Sequence, residues 1–230
     1  MIMKKALIIG AAIVIAGAML PAAVCKLKSY DRTVDVKGLC EKEVKADKVI
    51  WPLTYKVVGN DLNAALGETE ANNKAILDFL KAGGLESGEI TVSAPVISDK
   101  FANEYGNNDR VYRYLLTSVV TVCSNDVDKV LALRDNQAAL LKKGIALAES
   151  WENRTEFKFE ALNDIKPEMI EEATANAREA ALKFAKDSDS RLGKIKTASQ
   201  GTFSIEDRDS NTPYLKRVRV VTYVTYYLNN

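Results

Sequence analysis

Apolar and polar residues alternate over several stretches of the chain, which is the pattern of half-buried β-strands. A short first strand is predicted over residues 34–38, with a turn at 39–41. A long strand follows over 44–58, and Pro52 places it at a sheet edge or at a bulge because proline has no N–H to donate. Further strands are predicted over residues 89–98, 110–122, 149–161, 194–205 and 214–228.

Three other stretches repeat their apolar residues with the period of an α-helix. Polar cap residues and terminal glycines predict their bounds as residue 60 or 61 to 83, residue 125 or 126 to 144, and 167 to 193. The third helix is predicted to begin at Pro167, since proline favours the first helical position. The side chains predicted to face inward from the second and third helices are Val127, Val130, Leu131, Leu141, Ile170, Ala173, Ala177, Ala180, Ala181 and Phe184.

This order predicts an α+β fold, a mostly antiparallel sheet with three helices. A unit of strand, helix and hairpin occurs over residues 44–122 and again over 149–228, which predicts an internal duplication. Three helices cannot cover both faces of such a sheet. The long strands 44–58 and 214–228 are templates for pairing with another chain unless they are covered. The sequence therefore predicts a homo-oligomer joined through sheet edges.

Residues 1–25 predict an address outside the cytoplasm, because Lys4 and Lys5 precede an uncharged apolar run over residues 6–24. Three fates of this segment stay open. It is an uncleaved membrane anchor, a signal peptide cut near Ala23, or a lipoprotein signal cut before Cys25. Val24 disfavours lipidation, and the lysines at positions 26 and 28 disfavour clean cleavage. We therefore expect a domain in the periplasm or cell envelope, tethered to the inner membrane.

Composition excludes several classes of function. The chain has 32 Lys and Arg against 31 Asp and Glu, so it offers no basic field for nucleic acid. It has no histidine, which excludes Ser–His and Cys–His nucleophile pairs and His-ligated zinc. The common hydrolase, acyl-enzyme and nucleotide-binding motifs are absent as well. We predict no catalytic, cofactor-binding or metal-binding residues, no cofactor, and no enzymatic activity. The alternative, an enzyme, would have to use carboxylates, Lys or Tyr and would need two acidic groups in one cleft.

Two further groups of residues have the composition of a calcium loop and of a disulfide. Residues 207–211 have the D-x-D-x-N spacing of a calcium loop, but Thr212 and Val218 stand where that loop needs Gly and Glu. A polar turn between two strands is the favoured interpretation. Cys40 and Cys123 lie in the predicted exported domain, and spacing alone does not decide whether they form a disulfide.

An ordered set of short motifs resembles the SIMPL-domain (DUF541) family over residues 33–230. The motifs are Val34-x-Val36-x-Gly38, Val44-x-Ala46-Asp47-x-Val49, Gly84-Leu85, Glu89-Ile90-Thr91-Val92, Tyr112-Arg113-Tyr114, Phe157-x-Phe159, Leu162-Asn163-Asp164, the alanines at 173, 177, 180, 181 and 185, and Arg191-Leu192-Gly193-Lys194-Ile195. Ala46 departs from the pattern, since many members have proline there.

The resemblance implies an exported or periplasmic protein, a surface antigen in some members and linked to oxidative-stress tolerance in others. Some members resemble large ring-like or channel-like homo-oligomers, and no catalytic residues are established for the family. We therefore expect a non-enzymatic cell-envelope protein that self-assembles in a scaffold or stress-protective role. The alternative is a periplasmic adaptor that binds a peptide or an apolar ligand in a groove between helices and sheet.

Overall fold

The structure, a computed structural model, describes residue 17 and residues 32–102, 111–148 and 153–229. The predicted anchor or signal segment lies outside these residues apart from residue 17, and so do positions 149–152 of the predicted strand 149–161. Within the described parts of the chain, no helix combines the length and the hydrophobicity needed to cross a membrane.

The described residues form two antiparallel sheets and four α-helices, which confirms the predicted α+β class. The strands are β1 (Thr33–Lys45), β2 (Lys48–Gly59), β3 (Ile90–Val92), β4 (Val96–Asp99), β5 (Tyr114–Ser124), β6 (Glu156–Lys158), β7 (Arg191–Gln200), β8 (Ser204–Asp207) and β9 (Leu215–Asn229). The helices are α1 (Leu62–Ala82), α2 (Val127–Asp135), α3 (Ala138–Leu141) and α4 (Leu162–Asp187). A strand, a helix and two further strands precede β5, and the same element order precedes β9. The internal duplication stays a prediction.

The strand order places the two longest predicted strands inside their sheets. The first sheet runs β1-β9-β7, with β8 also paired to β9, and the second runs β3-β5-β2-β6, with β4 also paired to β5. The expectation that residues 44–58 and 214–228 offer exposed strands is wrong for β9, which has a neighbour on both sides. For β2 it is wrong only in part, because β5 pairs along one side whereas β6 covers the other side only at residues 48–50. The outer strands of the described residues include β1 and β7 in the first sheet and the shorter β3, β4 and β6 in the second.

The chain divides into two compact units, each with its own apolar core. The first unit takes Met1–Lys42, Asn163–Glu206 and Arg217–Asn230, and the second takes Glu43–Leu162 and Asp207–Lys216. The core of the second unit is built on β2 and β5, where Leu53 and Val120 are almost fully buried, and α1 adds Ile76 and Leu80. That of the first unit is built on β1, β9 and α4.

Small residues let α4 lie close to the strands of the first unit. Its buried positions recur every fourth residue: Met169, Ala173, Ala177, Ala181 and Ala185. Ala177 and Ala181 share a buried cluster with Val36 of β1 and Val224 of β9. The prediction that Ala173, Ala177 and Ala181 face inward is confirmed. The prediction for Phe184 is wrong, because the four-residue spacing continues to Ala185 and leaves the Phe184 side chain 59% exposed.

Gly38 lies where β1 and α4 come closest. A Cβ atom built on Gly38 would stand 1.7 Å from the carbonyl oxygen of Ala173 and 2.6 Å from the nitrogen of Ala177. The predicted end of the strand at residue 38 and the turn at 39–41 are therefore wrong. β1 continues to Lys45, because this glycine makes room for a helix and does not form a turn.

The start of α4 also differs from the prediction. The helix begins at Leu162, so Pro167 lies inside it and not at its first position. The chain ahead of the helix is fixed by Asp47, whose carboxylate accepts hydrogen bonds from the backbone N–H of Glu160 at 2.8 Å and of Ala161 at 2.7 Å. This long-range contact is not visible in the local sequence around Pro167.

The predicted second helix is two helices, α2 and α3. The Asn136 side chain donates a hydrogen bond to the carbonyl oxygen of Ala132 at 3.0 Å, and α2 ends there. After this break Leu140 is buried, whereas Leu141, predicted to face inward, is 57% exposed. That prediction is wrong because it assumes one continuous helix, whereas the helical periodicity is interrupted between α2 and α3.

Candidate functional site

Pro52 interrupts the pairing along one side of β2. Toward β5 the ladder is continuous from Val49 to Gly59. On the other side, β6 pairs only with residues 48–50, and further along the N–H of Ala148 donates to the carbonyl of Thr54 at 2.7 Å. Backbone groups of alternate residues point the same way, so Pro52 faces this side too, where it has no N–H to offer. β2 is thus locally an edge at Pro52, one of the two predicted alternatives.

A cavity of about 880 Å³ lies beside this interruption, within the second unit. We call it the Pro52 cavity. It is lined by Trp51, Pro52, Leu53 and Thr54 of β2, Arg134 of α2, Gln137, Leu147, Ala148, residues 153–158, Asp207, Ser210, Pro213 and Lys216. Its volume is within the range of pockets that hold small molecules.

Cationic side chains outnumber acidic ones on the wall of the Pro52 cavity. The cations are Arg134, Arg154, Lys158 and Lys216, and the acids are Glu156 and Asp207. Each acid forms an ion pair with one of the lysines, Glu156 with Lys158 at 3.6 Å and Asp207 with Lys216. The Arg134 guanidinium instead lies over the ring of Phe157, 6.0 Å from its centroid. No ion pair joins Arg134 to a carboxylate in the described residues.

The remaining wall of the Pro52 cavity is part apolar and part neutral polar. Pro52, Leu147 and Pro213 are half-buried and turn apolar surface toward it. Phe157 is buried, and the ring of Tyr214 packs against it edge to face with 6.1 Å between centroids. This aromatic pair fixes the surface on which Arg134 rests. Gln137, Asn153, Thr155 and Ser210 supply neutral hydrogen-bonding groups.

A second candidate site is the free side of β4. The N–H of Lys100 donates to the carbonyl of Arg113 at 2.7 Å, and Ile97 pairs with Leu116 in the same register. By alternation the N–H and C=O of Ile97 point away from β5. No strand pairs with that side of β4 in the part of the chain that the structure describes.

Exposed apolar side chains lie on β3, on β4 and on the residues between β4 and β5. They are Val92, Val96, Ile97, Phe101, Val111 and Tyr112, with Val96 69% and Val111 86% exposed, and we call them the hairpin surface. Next to the hairpin surface, the Arg113 guanidinium donates hydrogen bonds to both carboxylate oxygens of Asp99 at 2.9–3.2 Å. These hydrogen bonds lower the pKa of Asp99. Apolar side chains at this exposure are typical of surfaces that bind another protein.

Residues 207–211, which have calcium-loop spacing, form a turn in which the Asp209 carboxylate accepts hydrogen bonds from the turn itself. The Asp209 carboxylate accepts hydrogen bonds from the Thr212 hydroxyl, from Arg208 Nε at 3.0 Å and from the N–H of Asn211 at 2.9 Å. These bonds, the Thr212 hydroxyl foremost, hold the pKa of Asp209 far below its usual value. Among the described residues, no three His, Cys, Asp or Glu side chains are grouped so as to hold a metal ion.

The two cysteines among the described residues differ in environment, and both are free thiols. Cys40 is buried on β1 and donates a hydrogen bond from Sγ to Glu172 Oε2 at 3.1 Å. Burial, with this carboxylate as the second cause, raises the pKa of Cys40 to about 11. Cys123 is exposed near the end of β5. Only the second thiol is placed to react with a reagent in solution.

We predict that iodoacetamide at pH 8 labels Cys123 and spares Cys40 in the folded protein. A thiol with a pKa of about 11 is almost wholly protonated at pH 8, and the thiolate is the reactive form. Peptide mass spectrometry after timed quenching measures the two rates. We expect a difference of more than about 100-fold, which denaturation abolishes. Equal rates in the folded protein would show that Cys40 is not held in this buried contact.

Sequence reasoning missed both candidate sites. Arg134 belongs to a helix rich in charged residues, and no local signal distinguishes it from a solvated arginine. Its partner ring, Phe157, is a distant residue that the fold brings beneath it. The sequence does contain a signal for the hairpin surface, since Val96, Ile97 and Phe101 are bulky apolar residues close to a predicted loop. Their exposure follows from the shortness of β4, which the sequence pattern does not define.

The comparison with known families supplies the identity. A family model described as "SIMPL: Protein of unknown function (DUF541)" matches residues 34–222. No match is found among curated proteins. The match covers far more than half of the chain, and it runs from the second residue of β1 to the middle of β9, with all four described helices between. The chain belongs to the SIMPL family.

Proposed function

We propose that this SIMPL protein is an exported, non-enzymatic component of the cell envelope that assembles with copies of itself through sheet edges. The role we propose for such an assembly is that of a scaffold or of a stress-protective protein. The apolar run over residues 6–24 supports the location. The free side of β4 and the hairpin surface support self-assembly, and they are the observation that carries the proposal.

The β4 edge is better suited to pairing than the edges of the first sheet. β7 carries Lys194 and Lys196 and departs from regular register between Leu192 and Thr197, and both features discourage a neighbouring strand. On β1, the outward carbonyl of Leu39 already accepts a hydrogen bond from Asn176 at 2.9 Å. β4 has neither lysines nor a register shift. Its backbone groups and apolar side chains together suit a second copy of the chain.

Cross-linking in intact cells tests location and assembly together. Cells expressing the full chain are treated with an amine-reactive cross-linker that does not pass the cytoplasmic membrane. The proposal predicts a ladder of multimers from the treated cells, because an exported assembly presents its lysines to the reagent. Monomer alone would argue against assembly. Multimers that form only after lysis would argue against export.

Intact mass of the protein extracted from membranes tests the fate of the first segment. A full-length mass supports the anchor over residues 6–24, which we favour. Loss of the segment up to Ala23 supports a cleaved signal peptide, and an acylated chain starting at Cys25 supports a lipoprotein. Recovery of the unmodified full chain from the soluble cytosol would contradict all three.

A second candidate function is a periplasmic binding module, and the Pro52 cavity is the observation that favours it. The sequence predicts, as its alternative function, an adaptor that binds a peptide or an apolar ligand in a groove between helices and sheet. The cavity lies instead beside the edge of β2 and has a cationic wall. Binding there and assembly at the hairpin surface use different residues, so the two functions are compatible.

A further inference from the structure

Arg134 lies on the wall of the Pro52 cavity and forms no ion pair with a carboxylate of the described residues. The other cations with known partners, Lys158 and Lys216, are engaged by Glu156 and Asp207. Arg134 is half-buried, and its contact is the face of the Phe157 ring. A partly desolvated guanidinium that has no carboxylate partner among the described residues has strong remaining affinity for an anion.

The position of Arg134 orients its hydrogen-bonding groups. A guanidinium that lies over an aromatic face has its N–H groups in one plane, and they point outward from the edge of that plane. Because Phe157 is itself held by Tyr214, the plane has a defined place on the cavity wall. A planar anion with two acceptor oxygens, such as a carboxylate, matches this fork of donors.

The apolar and neutral side chains of the Pro52 cavity indicate what the uncharged part of the ligand is. Pro52, Leu147 and Pro213 present rigid or branched apolar surface, and none of them carries a side-chain donor or acceptor. A flat apolar group can cover these surfaces without leaving a polar atom unpaired. The neutral side chains of Gln137, Asn153 and Ser210 are available for one or two further polar contacts.

We infer that the Pro52 cavity binds a small carboxylate with a flat apolar or aromatic body, its carboxylate on Arg134. A monoanion suits the site because the two lysines are already neutralised by acids. The inference deepens the binding-module candidate and is independent of self-assembly. A chain that stays monomeric would bind the same ligand.

The test uses three probes that share one ring system: 2-naphthylacetate, its neutral amide and naphthyl phosphate. Calorimetric titration of the full chain in mild detergent measures the affinity of each. We expect the carboxylate to bind with a dissociation constant below about 1 mM, and at least about tenfold more tightly than the amide. The phosphate is expected to bind less tightly than the carboxylate, since it brings a second negative charge to a wall whose two lysines are already paired with Glu156 and Asp207.

Matched variants assign the preference to Arg134. Arg134→Gln should reduce the affinity for the carboxylate to that for the amide, and Arg134→Lys should retain part of the preference. Arg178→Gln removes an exposed arginine of α4 in the other unit and should change nothing. Thermal unfolding of each variant checks that the fold is kept.

Three results would overturn the inference. They are equal affinity of the wild-type chain for carboxylate and amide, an undiminished preference in a folded Arg134→Gln variant, and absence of binding at millimolar concentration. Tighter binding of the phosphate would replace the carboxylate with a dianionic ligand. The titration is repeated on a variant whose β4 edge is blocked. Binding by that variant shows that ligand binding does not need self-assembly, so failure of the binding inference and failure of the assembly proposal are distinguished.

Discussion

Replacing Gly38 with alanine is expected to destabilise the first unit by about 3 kcal/mol or more, since overpacking at a rigid contact costs about 1–3 kcal/mol and occasionally more. The added methyl group would lie 1.7 Å from the Ala173 carbonyl oxygen. That atom belongs to the helix backbone, so no side-chain rotation can relieve the clash. α4 would have to move away from β1, and the packing of Ala177 and Ala181 would loosen with it.

Gly67 provides the matched control for this substitution. It lies exposed inside α1, and a Cβ atom there would meet nothing within 4 Å. Gly67→Ala is expected to stabilise the chain by about 0.5–1 kcal/mol, because alanine loses less conformational freedom in a helix than glycine. Urea unfolding followed by circular dichroism compares the two. A Gly38→Ala variant that unfolds at the wild-type urea concentration would refute the close contact between β1 and α4.

The sequence was sufficient for the fold class because local periodicity carries that information. The alanines of α4 show the inner stripe of a helix that packs closely on a sheet, and the structure confirms it. Pro52 indicated an interrupted ladder, because a missing N–H has the same consequence in any strand.

Features that depend on distant residues could not be predicted in this way. Gly38 has the local appearance of a turn, and its real role is set by Ala173, which is far away in the chain. The same holds for Arg134 and Phe157. Strand order is also non-local: residues 214–228 have the pattern of a strand at any position in a sheet, and only the pairing with β1 and β7 makes β9 an interior strand.

Replacing Ile97 with proline is expected to abolish self-assembly and to preserve the fold. The bonds of β4 to β5 are made by the neighbours of Ile97, since its own N–H points outward. Proline removes that N–H and places its ring on the free side, which blocks a second strand. Ile97→Val is the matched control, because valine keeps both the N–H and a branched apolar side chain.

Stability measurements show whether both variants fold. We expect urea unfolding of Ile97→Pro and Ile97→Val to differ from the wild type by less than about 2 kcal/mol, since the Ile97 side chain is partly exposed. A much larger loss for the proline variant would mean that residue 97 is needed inside the sheet. In that case Ile97→Lys, which keeps the N–H but adds a charge to the edge, takes its place.

Light scattering coupled to size exclusion is the most direct test that copies of the chain join at β4. The full chain, Ile97→Pro and Ile97→Val are compared in the same mild detergent at micromolar concentration, with the detergent mass subtracted. The account predicts that the wild type and Ile97→Val share a mass that is a multiple of one chain, whereas Ile97→Pro has the mass of a single chain. A monomeric wild type, or a folded Ile97→Pro variant with the wild-type mass, would contradict it.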